Sequence, residues 1–235
     1  MNKFRLSLLA AALIAAVPVA AHAQSYSAIL NPLNGSNVHG IANLFLNGNF
    51  LSVNLTATGL EANELHIQHI HGLLDTHGSP LDSMVPTLAQ DSDHDNFIEL
   101  AEGAATYGPV LLQLTDPPGD IMHGFPTAPN GQINYFQTFD LTKQPQFGTD
   151  FTKGQLLPLD LREIVIHGLT VGTAGAGTPG EVNGIPGYKV ALPISSGEIM
   201  LSVAPVPEPE TYAMMLAGLG LLGFVRIRRS RKTPK

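Results

Sequence analysis

The chain has no cysteine and no tryptophan among its 235 residues. Without thiols it can form neither a disulfide framework nor a thiolate metal site, and it offers no cysteine nucleophile. Two common hydrolase signatures are missing as well, since neither G-x-S-x-G nor H-E-x-x-H occurs. With no tryptophan and few other aromatic residues, the exposed ring platforms common in carbohydrate sites are not expected. Basic residues are scarce in the middle of the chain. Of 12 lysines and arginines, two precede residue 24 and six follow residue 207. Only Lys143, Lys153, Arg162 and Lys189 remain to face 17 acidic residues in segment 24–207, a formal charge of −13. Such a surface argues against nucleic acid or anionic lipid as a partner and is compatible with divalent cations. A segment of that size can bury enough surface to fold as one domain without cross-links.

What is present at the two ends reads as addressing. Lys3 and Arg5 precede an apolar run over 6–20, and Ala21-His22-Ala23 is a small-x-small cleavage site, so residues 1–23 are expected to be a helical signal peptide. At the other end, Val206-Pro207-Glu208-Pro209-Glu210 leads into an apolar stretch and then Arg226, Arg228, Arg229, Arg231 and Lys232. The prolines hold the box extended. Residues 211–227 could just reach across a bilayer core of about 30 Å as a transmembrane helix, leaving the cations in the cytoplasm. Residues 206–235 resemble the PEP-CTERM sorting signal of exopolysaccharide-producing bacteria. That resemblance implies an exosortase-type membrane protease as partner, passage through the inner membrane, and delivery to the cell surface, the extracellular space or an exopolysaccharide matrix.

Residues 24–205 read as a β domain. Short apolar or alternating runs fall at 26–30, 40–46, 51–58, 66–71, 110–114, 133–141, 161–167, 188–194 and 198–203. Turn signals such as Asn34-Gly35, Asn47-Gly48 and Asn130-Gly131 separate them. Val53, Leu55 and Ala57 share one face of their run while Ser52, Asn54, Thr56 and Thr58 share the other, the pattern of a strand with one wet face. No long stretch before the tail has helical period. The fold expected is mainly β, an antiparallel Greek-key sandwich, with the glycine-rich stretch 172–187 as a loop.

Residues 91–102, D-S-D-H-D-N-F-I-E-L-A-E, match the twelve-position EF-hand template. Carboxylates of Asp91, Asp93 and Asp95 occupy positions 1, 3 and 5, the backbone carbonyl of Phe97 position 7, Glu99 the water-mediated position 9, and Glu102 the bidentate position 12. Calcium needs this many hard oxygens around one point. Asn96 replaces the usual glycine at position 6, which is tolerable because asparagine enters the left-handed region more readily than other side chains. No long helix precedes Asp91, and only a short helical turn can follow through Ala105. The loop is therefore expected to be an inserted structural clamp and not one half of an opening sensor.

His69 and His71 stand two apart on an expected strand, so both imidazoles point to one face and can chelate one ion. His167, in R-E-I-V-I-H-G, and His123, in M-H-G, are further candidates. Imidazole suits copper or zinc. The segment 40–72, ending in H-I-H-G, resembles the chordin-type (CHRD) domain of bacterial secreted proteins. R-E-I-V-I-H-G and A-L-P-I-S-S-G-E-I resemble the closing part of copper/zinc superoxide dismutase-like sandwiches. By that likeness His69, His71 and His167 would match copper ligands and His123 the bridging histidine. Two departures weigh against dismutase chemistry: Ser196 stands where a disulfide cysteine would be, and Pro193 about where a substrate-guiding arginine would be. The expectation is thus an exported, non-catalytic, calcium-stabilised surface or biofilm-matrix protein. The rival is a copper- or zinc-dependent metalloenzyme of the periplasm or surface.

Overall fold

The structure is a computed structural model and describes residues 23–143, 147–148, 151–172 and 181–202. The expected signal helix, save Ala23, the sorting tail with its span 211–227, and residues 173–180 of the expected loop lie outside the described residues. Among the described residues no helix is long and apolar enough to cross a membrane.

The strands form where the alternation predicts them. In β3 (Phe50–Thr58), Leu51, Val53, Leu55 and Ala57 turn inward while Asn54, Thr56 and Thr58 face water. A fully buried leucine such as Leu51 or Leu55 contributes about 2 kcal/mol of hydrophobic stabilisation. The antiparallel partner β2 (His39–Asn47) leads into β3 through a tight turn in which Gly48 takes φ 62°. Asn34 and Gly35, with φ of 53° and 68°, turn the chain between β1 (Gln24–Pro32) and β2. Positive φ at successive positions is why asparagine and glycine stand there.

The remaining strands are β4 (Gln68–His71), β5 (Val110–Gln113), β6 (Gln132–Asp140), β7 (Glu163–Val171), β8 (Gly187–Glu198) and β9 (Met200–Leu201). Where the sequence suggested two sheets face to face, hydrogen bonding joins all nine strands into one antiparallel half-barrel sheet. Its order is β5-β4-β7-β8-β1-β2-β3-β6, with β9 against β1. The reason lies in β1. Residues Gln24 to Leu30 pair with β2, and then Asn31 and Pro32 cross over to pair with Ser196 and Ser195 of β8. One side of the curl is filled by a single large apolar cluster that includes Leu30, Leu44, Leu55, Ile70, Leu112, Phe139, Ile164 and Ile166. Two short α-helices, α1 (Leu100–Tyr107) and α2 (Lys153–Leu156), and three single 3-10 turns complete the described part.

A buried arginine holds the end of β4 in place. The Arg162 guanidinium donates to the carbonyls of Leu156, Leu81, Leu161 and Gln155 at 2.8–2.9 Å and to Leu73 at 3.4 Å. Its stem also lies where a Cβ on Gly72 would have to go, so only glycine fits directly after His71.

Candidate metal centres

β4 and β7 are hydrogen-bonded neighbours, with His69 opposite Val165 and Gln68 opposite Ile166. The β7–β8 register shifts on either side of His167, which lies opposite Pro193. Gly168 follows with φ 113°, a conformation closed to most residues. In the regular β4–β7 pairing Val165 shares the face of His69, and His167, two residues further along β7, shares it too, so His167 joins His69 and His71. The ring centroids of the three lie 5.4–5.8 Å apart, and each ring offers a nitrogen within 4.8 Å of the others. All three are buried.

The hydrogen bonds decide which nitrogens are free. His71 Nδ1 meets the Gly108 carbonyl at 2.9 Å, and His167 Nδ1 meets the Ala191 carbonyl at 2.7 Å. A carbonyl only accepts, so both Nδ1 atoms carry the proton and both Nε2 atoms present lone pairs. Those two Nε2 atoms, and Nδ1 of His69, are buried without a partner. Burial lowers all three basicities. His69 is held well below the ordinary histidine range by burial, reinforced by the neighbouring His167 and His71. His71 falls to about 4 through burial, and His167 to about 3 through burial and then His71. At neutral pH the trio is therefore uncharged, the form that ligates metal. Three imidazoles on one tetrahedral ion at bond lengths of about 2.0–2.1 Å would stand about 3.4 Å apart at nitrogen.

His123 is placed elsewhere. Its side chain is 83% exposed and lies 3.5 Å from Asp120. The residue that does reach the cluster from this loop is Phe125, whose ring packs edge-on to His69 at 5.3 Å. Tyr107 does the same for His71 at 4.6 Å. Nothing in the local sequence marks Phe125, Tyr107 or the two carbonyls as neighbours of histidines. His66, in the same motif, is buried with its ring nitrogens facing the carbonyls of His167 and Glu61 at 3.0 and 3.2 Å.

In the acidic loop, Asp91, Asp93 and Asp95 bring carboxylate oxygens within 4.8 Å of one another. Asn96 and His94 both adopt positive φ, 69° and 65°. Asp91 accepts from the backbone N–H groups of His94, Asp95 and Asn96. Asp95 Oδ1 accepts from Phe97, while its Oδ2 is buried without a partner. Burial raises the Asp95 pKa, the Phe97 N–H opposes this, and the nearby charges of Asp93, Asp91 and Glu102 add to it. Glu102 reaches back from the first turn of α1 to accept from Ser92 at 2.6 Å, and closes a capping box with Glu99. Its pKa is lowered, because these N–H groups outweigh the opposing effect of burial. Glu99 is buried and accepts from Val182. Phe97 packs against the small apolar cluster of Val171, Val182 and Leu192.

Comparison with known proteins places the other end of the chain. Residues 205–231 match the family model for the PEP-CTERM protein-sorting motif. The chain therefore carries a PEP-CTERM tail. Such proteins are processed by exosortase, which makes this an exported, exosortase-sorted protein bound for the cell surface or extracellular space. The match stops at the tail, and the chordin-type likeness of the β domain has no family match behind it. No curated protein matches the chain.

Proposed function

We propose that this exported protein is a metal-holding surface or matrix protein. Its half-barrel carries copper or zinc on His69, His71 and His167, and calcium in loop 91–102 as a structural clamp. One observation carries the reading: three histidines that bring ring nitrogens within 4.8 Å of one another each keep a buried ring nitrogen without a partner. An orphaned buried acceptor costs about 1–3 kcal/mol, and three facing each other make sense together only around a cation. The same geometry supports reading the domain as chordin-type and dismutase-like, with H-x-H on one strand and a late H-G on its neighbour. Residues 1–23 serve as the export signal, and 211–227 as the membrane span held until exosortase acts.

Binding is favoured over turnover because, among the described residues, none of the strand partners opposite the three histidines is a cation. Pro193 lies opposite His167, and the buried Arg162 spends its donors on backbone carbonyls. Elemental analysis of the exported protein purified from its secreting host tests the reading. Calcium together with copper or zinc is expected, with the transition metal lost and calcium kept in His71→Ala and His167→Ala. Wild-type protein that retains no copper or zinc after equilibration with either would overturn it. Copper-dependent superoxide turnover abolished in His69→Ala would select the enzyme instead.

A further inference from the structure

Resting on the tri-histidine reading above, we propose that the acidic loop is the positioning element of that centre. Calcium in loop 91–102 raises the affinity of the three histidines for their transition metal, transmitted by helix α1 and by Asn34. The two sites are joined by two separate physical connections: the first ends on the carbonyl that sets the His71 tautomer, and the second reaches β8 two residues from the carbonyl that sets the His167 tautomer.

The first connection runs through α1. Glu102, in its first turn, ties the helix to Ser92 at the start of the loop. The helix is eight residues long, a rigid span of about 12 Å. At its far end Tyr107 lays its ring against His71, and the next residue, Gly108, supplies the carbonyl that holds His71 Nδ1. Any shift of the loop that carries Glu102 moves that carbonyl. His71 Nε2 is then no longer fixed as the acceptor facing its two neighbours.

The second connection is Asn34. Its side-chain amide pairs with both backbone groups of Ile98, accepting from the N–H at 2.6 Å and donating to the carbonyl at 2.8 Å. In effect one side chain serves as the neighbouring strand for the centre of the loop. The same amide nitrogen donates to the Pro193 carbonyl at 2.8 Å. Pro193 lies opposite His167, and Ala191, two residues earlier on the same strand, holds His167 Nδ1. Phe97 supports this link by packing on the small apolar cluster to which Leu192, between those two residues, belongs.

The loop has a reason to exist in two arrangements. The carboxylates of Asp91, Asp93 and Asp95 crowd together, and Asp95 Oδ2 is buried without a partner. Without a cation these groups repel and favour opening, whereas calcium supplies the missing partner and holds the loop closed. The closed loop is the form that places Ile98 for Asn34 and Glu102 for α1. Residues that orient metal ligands through their second nitrogen typically change affinity about 10- to 100-fold, and linkage requires the effect to be reciprocal.

Cobalt(II) is a suitable probe, because its d–d bands report tetrahedral nitrogen ligation and an oxygen-ligated loop contributes little to them. The exported protein is titrated with cobalt in calcium-depleted buffer and again with saturating calcium. Calcium should tighten cobalt binding about 10- to 100-fold, and cobalt should tighten calcium binding by the same factor. Glu102→Gln should lose the gain from calcium. Asn34→Asp keeps the acceptor for the Ile98 N–H and removes the donor to the Ile98 and Pro193 carbonyls, so it should lose part of the gain. Intense d–d bands with the same affinity in both buffers would overturn the coupling and leave the histidine centre standing. Absence of those bands from wild type, or their persistence in His71→Ala, would overturn the histidine centre itself and the coupling with it.

Discussion

At the scale of single residues, the histidines make a sign-definite prediction about pH. Their native basicity lies below the ordinary value of 6.5, to about 4 for His71 and about 3 for His167, with burial the first cause. The unfolded chain therefore binds more protons than the native one as pH falls below about 6.5. Stability of metal-stripped protein should drop across the window from pH 6.5 to 4 and level off below the native values. For His71 alone the loss is on the order of 3 kcal/mol. Melting temperatures measured across this window should fall less steeply in His71→Leu, which has no proton to take up. An equal slope in both proteins would mean that His71 does not titrate as its surroundings require. Transition-metal affinity should fall in the same direction, since protons compete for the ligating nitrogens.

At the scale of elements, the acidic loop and α1 form one unit closed by the carboxylate of Glu102. Calcium at about 100 times its dissociation constant should stabilise the fold by about 2.7 kcal/mol if only the native state binds. Asp91→Ala or Glu102→Gln should remove most of that gain. The check is the melting temperature of metal-stripped protein with calcium raised into the tens of millimolar, beyond the range of about 10⁻⁴–10⁻³ M typical of extracellular modules. No change in wild type would dispose of the clamp. The sequence marked every carboxylate of this loop because its ligand spacing is local, and it also marked the short helical turn. It did not mark Asn34. The turn signal Asn34-Gly35 was legible, yet the pairing of that side chain with Ile98, 64 positions away, was not.

At the scale of the whole molecule, the tail decides where the protein goes. Replacing Pro207-Glu208-Pro209 by alanines should leave the chain in the inner membrane with its tail attached, while the natural chain is cut and released. Intact mass and membrane fractionation in an exosortase-containing host would show the difference, and identical results for both would reduce the tail to a plain anchor. This address, the β class, the strand alternation and the acidic loop were all determined by the sequence alone. Each depends on neighbours close in the chain, through proline geometry, period-two burial or the spacing of acidic residues. His69 and His71 were paired for the same reason, because residues two apart on a strand share a face. What only the tertiary structure decided was the long-range company they keep. The pairing of β4 with β7 set His167 beside them, while His123, attractive by its motif, stayed in solvent beside Asp120. The single curled sheet followed from β1 changing partners at Asn31. Strand pairing across a hundred residues is set by how the whole core closes, and no local pattern encodes it.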